Sequence, residues 1–220
     1  MNDLLNFREL STRGWTAVDA SAARIGLAQA VEQLAGTLGR PVPLRGRRLV
    51  QELRPTPSER AHPRSLSMLF GEGAFPLHID TAHWPVPCRY VVMACASADG
   101  HAARTSLLPI GRLTLTRDEQ SMLHTTVFRV RSGRHSFFAT VASRERSFIR
   151  FDPGCMEPTC SSGPHVMSLL SSNRWASSLE EIDWEPGVIV VVDNWRVLHG
   201  RDAAAGIESE SRTLLRVLVQ

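Results

Sequence analysis

The stretch FPLHIDTAHW, residues 75–84, follows a Gly-Glu-Gly turn and predicts a β-strand around which the rest of the chain is organised. Side chains alternate between the two faces of a strand, so His78 and Asp80 are expected on the same face. An imidazole and a carboxylate placed in this way can supply two ligands to a divalent metal ion, and His199, far downstream, offers a third. Two histidines and one carboxylate on one side of an ion leave the opposite positions open, an arrangement typical of non-haem Fe(II) oxygenases.

The composition places the chain among ordinary globular proteins. Its 220 residues are enough for one domain with a sizeable core, and 43% of them are hydrophobic against 21% charged. The formal net charge is only +3 and the arginines are scattered, which predicts no nucleic-acid partner. No stretch approaches the roughly 20 apolar residues needed to cross a bilayer, and the first residues lack the features of a secretory signal. We therefore expect a cytoplasmic protein that has no membrane partner.

The cysteines indicate neither a metal site nor a disulfide framework. The chain contains four of them, Cys88, Cys95, Cys155 and Cys160, with no Cys-x-x-Cys pair and no zinc-type spacing. Cys155 and Cys160 flank a short loop and could approach one another, but four free thiols are the expected state.

Many short strands and few helices are predicted along the chain. Residues 89–96 form a near-continuous apolar run and residues 188–192 are all Val or Ile, so both are expected to be buried strands. Helices are expected over residues 22–38 and 164–179, and after the capping box at 116–119. Because strands and helices do not alternate, the pattern favours a mainly β fold, a jelly-roll type β-sandwich with flanking helices.

Three segments together resemble a known family, namely Phe75–Trp84, Asp193–Arg201 and Arg212–Arg216. They look like the taurine dioxygenase-like family of Fe(II)/2-oxoglutarate-dependent oxygenases, with the clavaminate synthase-like amino-acid hydroxylases as near relatives. The resemblance implies a double-stranded β-helix, or jelly-roll, core over residues 45–220 that carries the iron site. It also implies that residues 1–44 form a flanking strand and helix, so that residues 1–220 make one oxygenase domain.

The resemblance assigns roles to the three candidate metal ligands. His78 and Asp80 match the family's His-x-Asp pair, and His199 matches the distal histidine that completes the Fe(II) site. The implied reaction uses O₂ and 2-oxoglutarate, releases succinate and CO₂, and oxidises an unactivated C–H bond. Hydroxylation of a small, amino-acid-like metabolite is the expected outcome, although desaturation or ring formation would need only a different substrate geometry.

The resemblance also implies how 2-oxoglutarate is held. Arg212 and Arg216 match the family's Arg-x-x-x-Arg pattern, and Arg212 is the expected partner of the distal carboxylate of 2-oxoglutarate. Thr105 occupies the place of a threonine that usually joins this arginine. A guanidinium can grip a carboxylate through two parallel hydrogen bonds, and a hydroxyl can satisfy a remaining lone pair. The loop before Thr105 has fewer glycines than the family pattern.

Two other classes of function fit parts of the sequence. A non-catalytic jelly-roll binding or sensor module would share the fold, but it gives no reason for three metal ligands together with an arginine pair. A zinc-dependent hydrolase would use His and Asp ligands equally well, because zinc with an open position activates water. It gives no reason for Thr105 and Arg212. The sequence specifies neither the substrate nor an oligomeric state.

Overall fold

The computed structural model describes residues 5–21, 24–44, 48–63, 65–99, 102–143, 148–203 and 212–220. Within these ranges the helices are α1 (Phe7–Arg13), α2 (Leu27–Leu38), α3 (Leu66–Phe70), α4 (Arg117–Thr125) and α5 (Gly163–Leu170). The first strands are β1 (Trp15–Asp19), β2 (Pro41–Val42), β3 (Gln51–Leu53), β4 (Phe75–His78), β5 (Tyr90–Ala98) and β6 (Thr105–Pro109). The others are β7 (Val127–Ser132), β8 (His135–Thr140), β9 (Met156–Pro158), β10 (Glu180–Ile182), β11 (Val188–Asp193), β12 (Val197–Arg201) and β13 (Arg212–Val219).

Antiparallel pairing organises these strands into three sheets. The larger sheet has the order β1-β11-β5-β13-β2, with β3 also paired to β13. The smaller sheet has the order β10-β6-β12-β4, and β8-β7-β9 form a third sheet. The flank predicted over residues 1–44 therefore contributes β1 and β2 to the larger sheet, and the division of the chain at residue 45 stays a prediction.

The central strands β5 and β11 are apolar on both faces because the larger sheet is covered on both sides. Val92 and Ala94 of β5 pack in one hydrophobic cluster with residues of α1 and α2. Val91 and Met93, which point to the opposite face, pack in a second cluster with Leu107 of β6 in the smaller sheet. Residues 91–95 of β5 and 189–193 of β11 are buried on both faces, so the alternation of polar and apolar residues seen in half-exposed strands is absent there.

The helices pack on the outside of this sandwich. Ala30, Val31, Leu34 and Ala35 form the buried stripe of α2, while the N-terminal capping box that Thr116 provides for α4 is present as predicted. Two predicted boundaries were wrong. The first long helix begins at Leu27, with Gly26 before it in an extended conformation, and not near residue 22. The helix predicted over 164–179 ends at Leu170 and is followed by a 3-10 helix over Asn173–Ser178.

The predicted fold class is confirmed. Two facing antiparallel sheets with helices on their outer sides form a double-stranded β-helix. The third sheet, β8-β7-β9, packs with α5 around a further hydrophobic cluster that includes Phe128, Phe151 and Val166. No helix in the described ranges is long and apolar enough to cross a membrane.

Candidate active site

The two candidate histidine ligands lie on neighbouring strands. His78 is the last residue of β4 and is paired directly with His199 of β12. Their ring centroids are 4.5 Å apart. One nitrogen of each ring and a carboxylate oxygen of Asp80 all lie within 4.8 Å of one another. The structure therefore brings together the three side chains that the sequence predicts as metal ligands.

Asp80 reaches this group in a way that the strand pattern did not predict. β4 ends at His78, so the expectation that alternation along one strand places His78 and Asp80 on one face was wrong. Asp80 lies in a turn, and Thr81, which follows it, has a φ of +57°. The backbone of this turn, rather than the period of a strand, places the carboxylate next to the two imidazoles.

Each of the two imidazoles has a nitrogen that could bind a metal ion. His78 Nδ1 lies 2.9 Å from the backbone oxygen of Pro76. Because a carbonyl only accepts hydrogen bonds, Nδ1 carries a proton, which makes Nε2 the nitrogen through which His78 could bind a metal ion. Burial, followed by the charge of His78, lowers the pKa of His199 to about 3, so this ring stays neutral at ordinary pH. Its buried Nδ1 has no hydrogen-bond partner within the described ranges.

Asp80 is held in its ionised form by Arg216. Nη1 of Arg216 lies 2.9 and 3.0 Å from the two carboxylate oxygens, and Nη2 donates to Gln51 Oε1 at 2.8 Å. Burial opposes ionisation of Asp80, but the positive charge of Arg216, aided by His199 and His78, outweighs it and lowers the pKa of the carboxyl group. A carboxylate that is ionised before metal arrives has no proton to lose on binding.

Of the three residues predicted to bind 2-oxoglutarate, Arg212 and Thr105 meet, whereas Arg216 contacts Asp80. Nη1 of Arg212, at the start of β13, lies 3.3 Å from Thr105 Oγ1 and donates to the backbone oxygen of Ala103. Trp184 Nε1 donates to the same hydroxyl oxygen at 2.9 Å. With two donors pointing at its oxygen, the Thr105 hydroxyl is left to donate its own proton, which suits a carboxylate acceptor.

Arg201 is a cavity residue that the sequence analysis missed. It lies on β12 two residues after His199, so both side chains point to the same face of the strand. This spacing could have predicted Arg201 from the sequence. Its guanidinium lies 3.8 Å from the ring centroid of Phe75 and donates to the backbone oxygens of Gly71 and Gly73 at 2.9 and 2.7 Å. Burial, followed by the charge of Arg201, lowers the pKa of Arg212 to about 10. Two neighbouring buried guanidinium groups make this end of the cavity favourable for an anion.

All six predicted site residues line one cavity of about 260 Å³. The inward residues of β13 alternate between cationic and aliphatic side chains, namely Arg212, Leu214, Arg216 and Leu218. His83 also lines the cavity, although the strand period does not place it on the metal face. Among the described residues of the lining, Asp152 is the one carboxylate besides Asp80.

These residues fit an Fe(II) ion with 2-oxoglutarate beside it. The donor set contains two imidazoles and one ionised carboxylate, which suits a divalent ion that keeps open positions. Nδ1 of His199 is buried and has no hydrogen-bond partner among the described residues. In His78, the hydrogen bond to Pro76 uses Nδ1 and leaves Nε2 for a metal ion. The Arg212–Thr105 pair supplies the charged and neutral donors that a dicarboxylate requires.

Comparison with known proteins shows what part of the chain resembles a known family. The profile described as "Taurine catabolism dioxygenase TauD, TfdA family" matches residues 178–218, a segment that contains His199, Arg212 and Arg216. No curated protein matches the chain in sequence.

Solved structures share the fold along the whole chain. Asparagine oxygenase in complex with Fe(II), 2S,3S-3-hydroxyasparagine and succinate is 20% identical, with a TM-score of 0.78 over 99% of this chain and 78% of that one. The non-haem iron oxygenase OrfP in complex with Fe and α-ketoglutaric acid is 17% identical, with a TM-score of 0.74 over 100% of this chain and 79% of that one. The protein thus shares its fold along its whole length with these iron oxygenases, and over residues 178–218 its sequence resembles the taurine dioxygenase family that its motifs predict.

Proposed function

We propose that this protein is an Fe(II)- and 2-oxoglutarate-dependent oxygenase that hydroxylates a small, amino-acid-like metabolite. The observation that carries the proposal is the convergence of His78, Asp80 and His199 within 4.8 Å in a cavity that the Arg212–Thr105 pair also lines. The cofactor proposed here needs both groups of residues in the same cavity. Each group alone would have a simpler structural explanation.

His78, Asp80 and His199 would hold the iron. The two imidazoles bind as neutral rings, and the hydrogen bond from His78 Nδ1 to Pro76 fixes the orientation of that ring. When bound, iron and 2-oxoglutarate together activate O₂ for oxidation of a C–H bond, with release of succinate and CO₂. The contribution of the protein would be to hold the three ligands in the same cavity that the 2-oxoglutarate-binding residues line.

Arg212 and Thr105 would hold the distal carboxylate of 2-oxoglutarate. Arg212 is only 6% exposed and lies against Thr105, so a carboxylate between them would be shielded from water. Charge-assisted hydrogen bonds in such a place are stronger than exposed ones. Arg201, next to Arg212, adds positive charge at the same end. These residues orient the cofactor towards the metal ligands on β4 and β12.

An amino-acid-like substrate suits the remaining polar groups of the cavity. Arg216 offers a guanidinium to a carboxylate once a metal ion takes over the charge of Asp80, and Asp152 offers a carboxylate to an ammonium group. Aliphatic side chains such as Leu53 and Leu66 supply apolar contacts. Structures that share the fold contain hydroxylated asparagine or hydroxylated arginine, which supports this substrate class.

The competing functions explain less of the site. A zinc hydrolase needs the three ligands but gives no role to the buried Arg212–Thr105 pair. A binding module needs the cavity but no metal ligands. The presence of Asp80 also argues against halogenation, because family members that halogenate lack this carboxylate. We further propose a cytoplasmic location, which the four cysteines, all free in the structure, support.

The test is coupled product formation. The protein with Fe(II), 2-oxoglutarate and O₂ is screened against the free amino acids and their simple derivatives, and succinate and hydroxylated product are measured together. The proposal predicts equal amounts of both with at least one substrate, and neither product in the His78→Ala variant. Substrate hydrolysis with Zn(II) in the absence of 2-oxoglutarate would instead support the hydrolase.

A further inference from the structure

Asp80 is the one candidate metal ligand that no strand holds in place. β4 ends before it, and Thr81 after it adopts a left-handed backbone conformation with φ +57°. This conformation is unfavourable for a residue with a side chain, so it persists only where the surrounding structure enforces it. Arg216 contacts the Asp80 carboxylate itself, so the backbone of the turn must be held by contacts from another part of the chain.

Asn194 supplies those contacts from the link between β11 and β12. Its side chain has no exposed surface, and Oδ1 accepts a hydrogen bond of 2.8 Å from the backbone N–H of Asp80. Nδ2 donates to the backbone oxygens of Asp80 at 3.0 Å and of Cys88 at 2.8 Å. One amide thus binds both backbone groups of the same residue, so the peptide units on either side of Asp80 cannot rotate independently.

Further hydrogen bonds close the turn on the other side of Asp80. Thr81 Oγ1 accepts from the backbone N–H of Cys88 at 2.8 Å, and Thr81 O accepts from that of Trp84 at 2.8 Å. These bonds hold Thr81 in its unusual conformation, but they do not reach the backbone of Asp80. Asn194 is therefore the side chain that connects the Asp80 turn to the chain segment leading into His199.

We propose that Asn194 is a positioning residue, whose amide fixes the Asp80 turn so that the carboxylate faces His78 and His199. The inference rests on the proposed role of Asp80 as a metal ligand. It predicts that the effect of Asn194 on metal binding acts entirely through Asp80. A residue that merely stabilised the fold would not show this dependence.

Two substitutions test the accepting and the donating hydrogen bonds of the Asn194 side chain. Asn194→Ala removes all three of them. Asn194→Asp has nearly the same shape and can still accept from the Asp80 N–H, but it places a carboxylate oxygen against the backbone oxygens of Asp80 and Cys88. Thr16→Val is the matched control, because Thr16 is equally buried and makes a side-chain hydrogen bond to Glu9, but lies on β1 outside the cavity.

The experiment is a titration of the metal-free protein with Ni(II), a probe that binds imidazole tightly enough to be measured with two histidines alone. Substitution of a residue that supports a metal ligand typically lowers metal affinity by about 10- to 100-fold. We expect a loss of Ni(II) affinity in this range for both Asn194 variants. Thr16→Val should bind Ni(II) as wild type does. In the Asp80→Ala background, adding Asn194→Ala should change Ni(II) affinity no further. Unchanged affinity in Asn194→Ala, or an equal loss in both backgrounds, would overturn the inference.

Exchange of the Asp80 backbone amide with solvent, measured without metal, gives a second readout. It should become faster in Asn194→Ala and stay unchanged in Thr16→Val, because only the first substitution removes its acceptor. Should wild type bind no Ni(II), the proposed metal function fails, while the exchange comparison still decides whether Asn194 holds the turn. Unchanged exchange in Asn194→Ala would overturn the inference directly.

Discussion

Arg216 and Asp80 form an ion pair in the wall of the cavity, with Nη1 of the arginine 2.9 and 3.0 Å from the two oxygens of the carboxylate. Their side chains are only 15% and 14% exposed, so water screens the pair weakly. The arginine supplies the positive charge that a divalent ion would supply after binding. Arg216 therefore has a role in the metal-free protein that differs from its proposed contact with substrate.

Removing this arginine should destabilise the metal-free protein more than the metal-bound one. Arg216→Met leaves Asp80 without its partner, and we expect a loss of about 3 kcal/mol in the free energy of unfolding. Bound Ni(II) should reduce that loss, because the ion then neutralises the carboxylate. Urea unfolding with and without Ni(II) measures both values. Arg129→Met, which breaks an exposed pair with Glu157, is the control and should cost about 1 kcal/mol at most. Equal losses at the two positions would contradict the account.

Acid should destabilise the metal-free protein already below pH 6.5. Burial lowers the pKa of His199 from 6.5 to about 3, so between these values the unfolded chain binds a proton that the folded chain does not. The free energy of unfolding should therefore fall as pH falls through this window, by up to about 1.4 kcal/mol per pH unit from this residue. Asp80, whose pKa is also lowered, adds a loss in the same direction below pH 3.8. Urea unfolding of His199→Gln across the same range should show a shallower slope, and an unchanged slope would exclude His199 as its source.

Arg212 should govern binding of 2-oxoglutarate and leave metal binding unchanged. Arg212→Ala removes a charge-assisted contact from a buried site, so the affinity for 2-oxoglutarate should fall by about 100-fold. Arg212→Lys should recover part of this loss, because a point charge cannot reproduce the planar fork. Thr105→Val removes one neutral hydrogen bond and should weaken binding by about tenfold or less. Calorimetry on the anaerobic Fe(II)-loaded protein measures each affinity. Equal affinity in wild type and Arg212→Ala would transfer the role to Arg216.

The parts of the fold that the sequence predicted are those in which one residue type dominates a segment. The Val and Ile run of β11 could only be a buried strand, and the four residues of the Thr116 capping box specify a helix start by themselves. The two- and three-residue strands β2, β9 and β10 carry no period to detect, because their pairing depends on neighbouring strands. The start of α2 at Leu27 was missed because apolar residues at helical spacing continue before it.

For the site, the identities of the residues could be predicted from the sequence, but the backbone conformation that positions them could not. The sequence identified the residues that meet in the cavity because their types and order match one chemistry. It could not predict that Asp80 leaves the strand, since the Asp80–Thr81 turn depends on hydrogen bonds between Asp80 and Asn194 and between Thr81 and Cys88, and Asn194 is distant in sequence. Arg201 was missed because an arginine at a strand end is usually on the surface, whereas here Phe75 and two backbone oxygens bury it.

The thiols should differ sharply in reactivity. Cys160 is exposed, and hydrogen bonding with Ser162 lowers the pKa of its thiol, whereas burial raises the pKa of Cys88 to about 12. A thiol reagent at neutral pH should therefore modify Cys160 first and leave Cys88 untouched in the native protein. Thiol titration of the denatured, unreduced protein should detect four thiols per chain. A count of two would mean that Cys155 and Cys160 are bridged, contrary to the structure, and would weaken the cytoplasmic proposal.

The central claim is that His78, Asp80 and His199 hold Fe(II) next to a 2-oxoglutarate molecule anchored by Arg212. The most direct measurement is the visible absorption of the anaerobic Fe(II)-loaded protein during titration with 2-oxoglutarate. The account predicts a weak charge-transfer band in wild type, no band in His78→Ala, and a band that requires far more 2-oxoglutarate in Arg212→Ala. The absence of a band in wild type, or a band of equal strength in His78→Ala, would contradict it.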